Sequence, residues 1–255
     1  MRVVIIGSGN TATVLGRQIA AAGHEIGQVL SRQEEHAALL GRQLQSPFAT
    51  GLENIVRDAG LYIAAVSDSA LLSLGERLSL PGKLVVHTAG SVPGNVLQPI
   101  SDRYGVLYPL QSLRKEIGYF PEMPLLVDAA HPEDLETITA FARTLSANVQ
   151  TAGDDTRRKL HLAGVFINNF SNYLYTLAAD YCGKEKIDFS LLLPLIKETA
   201  ERVTHAAPRE VQTGPAIRGD GITIEKHLEL LDNYENIKEL YELFTHQIQE
   251  FYKEG

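Results

Sequence analysis

Over the first 150 residues, short apolar runs alternate with amphipathic stretches. Val3, Val4, Ile5 and Ile6 are mostly β-branched and read as a strand buried on both faces of a parallel sheet. Further strands are expected at residues 24–30, 47–50, 61–66, 83–86, 105–109, 124–128 and 148–151. Between them, helical periodicity runs from the glycine turn to Ala22, then over residues 32–44, 70–80 and 132–146, with a helical turn at 51–58. Gly23 is a natural stop for the first helix. Strands alternating with helices predict an α/β fold, a mostly parallel sheet with helices on both faces.

After Gly153-Asp154-Asp155 the strand signals cease, which places a boundary between a first domain, 1–153, and an all-α domain, 154–255. Residues 155–181 carry one long helical pattern, on the order of 40 Å at 1.5 Å per residue. Leu160, Ala163, Ile167, Phe170, Leu174, Leu177, Ala178 and Tyr181 share one arc, which suits the core of a helical domain or a dimer. Arg157, His161, Asn168 and Asn172 form a polar stripe roughly opposite, facing either solvent or a cleft. Further helices are expected at 189–204, 222–231 and 233–252, separated by the segment 208–220, PREVQTGPAIRGD. A loop of that length in a compact helical domain is often functional. Thr213 precedes a sharp turn, and Arg218 is a candidate for an anionic substrate or for an ion pair with Asp220, itself a candidate cap.

The first turn carries the clearest chemistry. Gly7-Ser8-Gly9-Asn10-Thr11-Ala12 follows a strand and opens a helix, the context in which a Gly-x-Gly-x-x-Ala pattern binds a dinucleotide. Gly7 allows the tight turn, Gly9 lets a pyrophosphate approach the backbone, and Ala12 lets the helix pack close to the sheet. The helix N-terminus presents free N–H groups and a positive dipole end to the phosphates. The fold is thus Rossmann-like. The second strand ends in Leu30-Ser31-Arg32 with no carboxylate to take a ribose 2′-hydroxyl. Arg32 and the Ser31 hydroxyl suit a 2′-phosphate, so NADP is favoured over NAD, although Ser31 also reads as a helix cap.

Other candidates gather where later strands end, since ligands bind outside the carboxyl ends of parallel strands. Val66, Ser67 and Asp68 follow one such strand as cofactor neighbours, and Asp68 reads equally as a helix cap. His87-Thr88-Ala89-Gly90-Ser91 follows the next. His87 is a candidate proton donor or orienter, Thr88 and Ala89 candidate cofactor contacts, and Ser91 a candidate substrate contact.

Composition narrows the partners. A net charge of −8 argues against nucleic acid or an anionic membrane. Cys182 is the single cysteine, which excludes an internal disulfide and fits a reducing cytoplasm. With a strand expected from residue 2, no signal peptide is expected, and no apolar stretch reaches the roughly 18 residues of a membrane helix. No metal site is expected.

GSGNTA, the LSR after the second strand and the HTAGS after a later one resemble the nicotinamide-dependent reductases of the pyrroline-5-carboxylate reductase and β-hydroxyacid dehydrogenase group. They are also similar to the NADP-dependent oxidoreductase domain of deazaflavin-linked enzymes. HLAGVFINNF and TGPAIRGD resemble motifs of a bacterial subfamily of such oxidoreductases, so the likeness covers nearly the full chain. It implies NADPH binding, a small-molecule substrate in a cleft between the domains, and a homodimer built through the helical domain. One departure stands out: β-hydroxyacid dehydrogenases place a catalytic lysine one helical turn before an asparagine, whereas Ala163 stands four residues after Lys159. The nearest substitutes are His161 as proton donor and Asn168 as orienter, with Asn172 as a further substrate contact. The expectation is an NADP-dependent oxidoreductase of a small carbonyl or imine. A non-catalytic NADP-binding regulatory or scaffold protein, and an NADPH–deazaflavin oxidoreductase, are the alternatives.

Overall fold

The computed structural model describes residues 1–253. The chain divides into two compact units, Met1–Phe170 and Ser171–Gly255. The first begins with β1 (Arg2–Ile6), α1 (Asn10–Ala21), β2 (Glu25–Leu30), α2 (Glu34–Gln43) and β3 (Phe48–Ala49). It continues with β4 (Leu61–Ala64), α3 (Asp68–Leu72), β5 (Val85–His87), β6 (Tyr104–Pro109), β7 (Leu125–Ala129), α4 (Pro132–Arg143), β8 (Val149–Thr151) and α5 (Asp154–Gly164).

The strands form one sheet in the order β3-β2-β1-β4-β5-β6-β7-β8. Neighbours are parallel except β6 and β7. The expected α/β class holds, and the reversal at β7 turns the last two strands round. Chain order changes direction between β1 and β4, and this switch point opens a crevice at the carboxyl edge.

Alternation along β1 explains its continuous apolar run. Val3 and Ile5 join one core cluster with Ala12, Leu15 and Ile19 of α1, while Val4 and Ile6 join a second with Leu71 and Leu74 across the sheet. Both faces are covered, so no position in the strand is free to be polar. Beyond β4 the expected helix 70–80 is instead the five-residue α3 followed by a 3₁₀ turn, Leu74–Glu76. Gly75 interrupts it: glycine weakens a helix, and a Cβ there would lie 2.9 Å from Pro99.

The long helix expected at 155–181 is not a single α-helix. After α5 comes a π-helical segment, Val165–Phe170, and then α6 (Ser171–Lys184). The wider π turn shifts the angular register. The shared stripe drawn for His161, Asn168 and Asn172 on a regular helix is therefore not preserved, and Asn172 belongs to the second unit. The first part of the apolar arc is exposed as well, with Ile167 at 79% and Phe170 at 51% and Leu160 and Leu174 also exposed, while Leu177, Ala178 and Tyr181 are half-buried.

The second unit comprises α6, α7 (Leu193–His205), α8 (Pro215–Arg218), α9 (Gly221–Leu230) and α10 (Glu235–Lys253), with a 3₁₀ turn at Phe189–Leu192. The loop expected at 208–220 thus encloses a short helix. Among the described residues no helix is long and apolar enough to cross a membrane.

Candidate functional site

The turn after β1 is built as its spelling requires. Gly7 has φ +124°, and a Cβ there would lie 2.1 Å from the carbonyl oxygen of Ala65. Its N–H donates to the Leu30 carbonyl at 2.7 Å, tying the turn to the end of β2. Gly9 caps α1 with ordinary extended dihedrals, and a Cβ on it would meet no protein atom within 4 Å. The absent side chain there leaves open space above the helix N-terminus rather than relieving a clash.

A cavity of about 790 Å³ occupies that space, at the crevice between the ends of β1, β2 and β4. Gly7, Ser8, Gly9, Asn10 and Thr11 line its floor, Ser31 and Arg32 one end, and Val66 and Ser67 its β4 side. Ser8 and Ser31 share a hydroxyl–hydroxyl hydrogen bond of 2.7 Å. Ala12 lies beneath, fully buried between helix and sheet. A second cation, Arg77, also lines the cavity. It lies in the stretch read as a regular helix, where nothing in the spacing separates it from a surface arginine.

Asp68, Thr88, Ala89 and Ser91 do not line this cavity. Ser67, not Asp68, is the N-cap of α3, accepting from the Ala70 N–H at 3.4 Å. Asp68 instead accepts a short hydrogen bond from the Ser91 hydroxyl, which joins the ends of β4 and β5. Thr88 and Ala89 are buried. The Thr88 N–H donates to Ala64, and the Ala89 N–H donates to Nδ1 of His87 at 3.1 Å.

His87 is 0% exposed. Burial, seconded by the nearby Arg157 charge, pulls its pKa down to about 4 against the opposing pull of the Pro93 carbonyl, Asp154 and Asp68. A fully buried imidazole that does not line the cavity is not placed to serve as the proton donor expected of it. It holds the turn that follows β5. The shift has a measurable consequence. Above its ordinary value of 6.5, folded and unfolded chains both carry neutral His87. Between 6.5 and about 4 only the unfolded chain binds the proton. Stability therefore falls as pH falls through that window, by on the order of 3 kcal/mol in full. Urea titrations from pH 7 to pH 4.5 should show His87→Gln losing clearly less stability over the interval than wild type. Equal losses would rule out this source of acid sensitivity.

Arg157 is a further buried ionic group. At 0% exposed, it donates through Nη2 to the Val92 carbonyl at 2.5 Å and to Asp154 at 2.7 Å. Asp154 also accepts from the Gly94 N–H at 3.0 Å. Burial works against its carboxylate, but the Arg157 hydrogen bond, the Gly94 N–H and the guanidinium charge outweigh burial and hold its pKa below the usual range. The start of α5 is thereby fastened to the loop after β5.

One turn along α5, that fastening sets His161 at the carboxyl edge. Its Nδ1 lies 2.9 Å from the hydroxyl of Tyr108 near the end of β6, and its ring stands edge-on to the tyrosine, 6.0 Å between centroids. The side chain is exposed, as is Asn168 in the π segment. Burial raises the Tyr108 pKa, with the Arg157 charge opposing. Tyr108 was passed over in the sequence because it sits inside a strand run and reads as core.

In the second unit, Thr213 is exposed and its carbonyl accepts from the Gln212 side chain at 3.0 Å. Asn172 is exposed, its carbonyl bonded by the Thr176 hydroxyl at 3.0 Å. Arg218 ends α8 and is exposed. Asp220 does not pair with it within salt-bridge distance but caps α9, accepting from the Thr223 N–H at 3.1 Å and hydroxyl at 2.8 Å.

A glycine-floored cavity at the switch point of a mostly parallel, helix-covered sheet defines a Rossmann-type dinucleotide site. Residues 2–90 match the family model described as NADP oxidoreductase, coenzyme F420-dependent, and residues 123–248 match a domain of unknown function, DUF2520. The chain is 40% identical to a Bacteroides fragilis protein assigned as an NADP oxidoreductase, over 98% of each chain, with a TM-score of 0.90. It belongs to that family of Rossmann-type NADP oxidoreductases. The fold is shared more distantly with an imine reductase from Myxococcus stipitatus, 17% identical over 100% of this chain and 95% of that one, TM-score 0.69. It is also shared with the 1-pyrroline-5-carboxylate reductase of Streptococcus pyogenes, 13% identical over 98% of each chain, TM-score 0.61. No curated protein matches the chain significantly.

Proposed function

We propose that this protein is an NADPH-dependent reductase of a small carbonyl or imine substrate. The observation that carries the reading is the cavity that joins the Gly7–Thr11 turn to Ser31 and Arg32. The space above Gly9 fits a pyrophosphate that accepts the N–H groups opening α1. The Ser31 hydroxyl and the Arg32 guanidinium fit a 2′-phosphate. When bound, NADPH supplies a hydride to the substrate carbon. The chain's own part is to hold the reactants and to deliver a proton to the substrate oxygen or nitrogen. His161, exposed at the carboxyl edge, is the proton donor, and Asn168 is the nearest exposed amide on the same helical run for orienting the substrate. The deazaflavin-linked alternative draws on the match over residues 2–90, which covers the nucleotide-binding half and so speaks to the NADP side of that reaction.

The exposed Ile167 and Phe170 support the homodimer, since large apolar side chains left open to solvent favour a covering partner. The single cysteine supports a cytoplasmic location.

The test is a fluorescence titration with NADPH and NADH. Arg32→Ala should weaken NADPH by roughly 10- to 100-fold, the value of one or two charge-assisted hydrogen bonds, and leave NADH nearly unchanged. Equal affinity of wild type for both cofactors would remove the 2′-phosphate assignment.

A further inference from the structure

Three features converge on the imidazole of His161. A Cβ placed on Gly90 would lie 2.8 Å from both Cγ and Nδ1 of His161 and 2.9 Å from Cζ of Tyr108. The missing side chain is therefore what lets the two rings meet at the end of β5. Tyr108 is only 9% exposed, and its hydroxyl has one hydrogen-bond partner among the described residues, Nδ1 of His161. Across the sheet edge, Arg157 fastens α5 so that the ring is held from the helix side as well.

The direction of the Tyr108–His161 hydrogen bond follows from what each group can satisfy. If Nδ1 carried the proton, the phenol hydrogen of the largely buried Tyr108 would have no protein acceptor among the described residues, and a buried donor left unpaired is costly. If the phenol donates, Nδ1 is the acceptor and both groups are satisfied. A neutral imidazole accepting at Nδ1 carries its proton on Nε2.

We propose that Gly90 and Tyr108 form a socket that locks His161 in the Nε2–H tautomer, with Tyr108 acting as the positioning residue and proton reserve behind it. This rests on the reading of His161 as the proton donor. As hydride reaches the substrate carbon, the C=O or C=N π bond breaks and its electron pair moves to the heteroatom. That atom takes the proton from Nε2, the electrons of the broken N–H bond return to the ring, and Nδ1 takes the proton of Tyr108. A phenolate remains, to be reprotonated from water. An alkoxide is a far stronger base than a phenolate, so the transfer runs downhill. Burial keeps Tyr108 a phenol at rest, and the Arg157 charge favours the phenolate once formed. The arrangement serves a substrate whose heteroatom becomes negative on reduction, a ketone, an aldehyde or a neutral imine. An iminium arrives with its proton and has no need of it.

The test reads the tautomer directly and requires no substrate. The full-length protein, with ¹⁵N-labelled histidine and saturated with NADP⁺, is examined at pH 8 by long-range ¹H–¹⁵N correlation, with His161→Gln to assign the ring. Wild type should show a protonated Nε2 and a bare Nδ1. Tyr108→Phe should relax this to a mixture of the two tautomers, and Gly90→Ala should displace the ring signals while NADPH affinity holds within about two-fold. A proton on Nδ1 in wild type, or an unchanged tautomer in Tyr108→Phe, would overturn the socket. NADPH binding is read separately, so the socket can fail while the reductase reading stands, and the reverse.

Discussion

Gly9→Ala is expected to fold like wild type and to bind NADPH about 100-fold more weakly, a loss of roughly 2.7 kcal/mol. Gly7→Ala is expected to fail at folding itself. The two residues share one motif, and the structure separates their duties as the sequence does. At Gly9 the dihedrals are ordinary and a Cβ would touch nothing within 4 Å. The methyl group therefore costs the fold little, on the order of 0.5 kcal/mol, and takes space that a pyrophosphate needs. At Gly7 the backbone is in the positive-φ region and a Cβ would sit 2.1 Å from the Ala65 carbonyl. The end of β4 would have to move, and the Gly7–Leu30 hydrogen bond at 2.7 Å would strain with it. The expected penalty is about 3 kcal/mol or more. Thermal unfolding alongside cofactor titration separates the two. A Gly9→Ala protein that binds NADPH normally would show that phosphates do not lie over this turn.

The second large effect belongs to the buried ion pair. Asp154→Ala should lower the unfolding free energy by about 3–5 kcal/mol, because it strands the guanidinium of a fully buried Arg157. Arg157→Met should cost less. It removes the buried charge together with its desolvation, fills much of the same volume, and leaves an Asp154 carboxylate that is 36% exposed and still accepts from Gly94. Denaturant midpoints at unchanged slope would establish the order. If Arg157→Met were the more damaging of the two, the pair would be acting through packing rather than charge.

What the sequence disclosed, and where it fell silent, divides along physical lines. The parallel strands were legible because residues such as Val3 to Ile6 are buried on both faces and tolerate only apolar side chains. The cofactor turn was legible because Gly7 is required by the backbone and Gly9 keeps open the space above the helix N-terminus, two demands that only glycine meets together. Tyr108 was not, because its role depends on a partner 53 residues away and its spelling in the strand is that of core. Arg77 escaped for a similar cause: its place in the cavity wall depends on how its segment packs against the turns after β1 and β2, which its own spacing does not record. His87 was misjudged because adjacency to the ligand edge says nothing of depth, and depth decides whether an imidazole can exchange a proton. The register of His161 with Asn168 was misjudged because a π segment leaves no plain mark in an apolar helical pattern.

The reversal of β7 bears on the order in which this protein matures. Because β6 ends at the carboxyl edge of the sheet and β7 starts there, the connection between them lies at that edge, and its middle reaches the helix that opens at the phosphate turn. There the Lys115 N–H donates to the Asn10 side chain at 3.3 Å, and Arg17 donates to the Lys115 and Ile117 carbonyls at 2.9 and 3.4 Å. These bonds join positions about a hundred residues apart, a long closure for a growing chain. During synthesis the first strand and helix emerge early, but the clasp over them must wait for residue 117 to leave the ribosome. A nascent chain stalled short of that point would carry the dinucleotide signature without its finished binding turn.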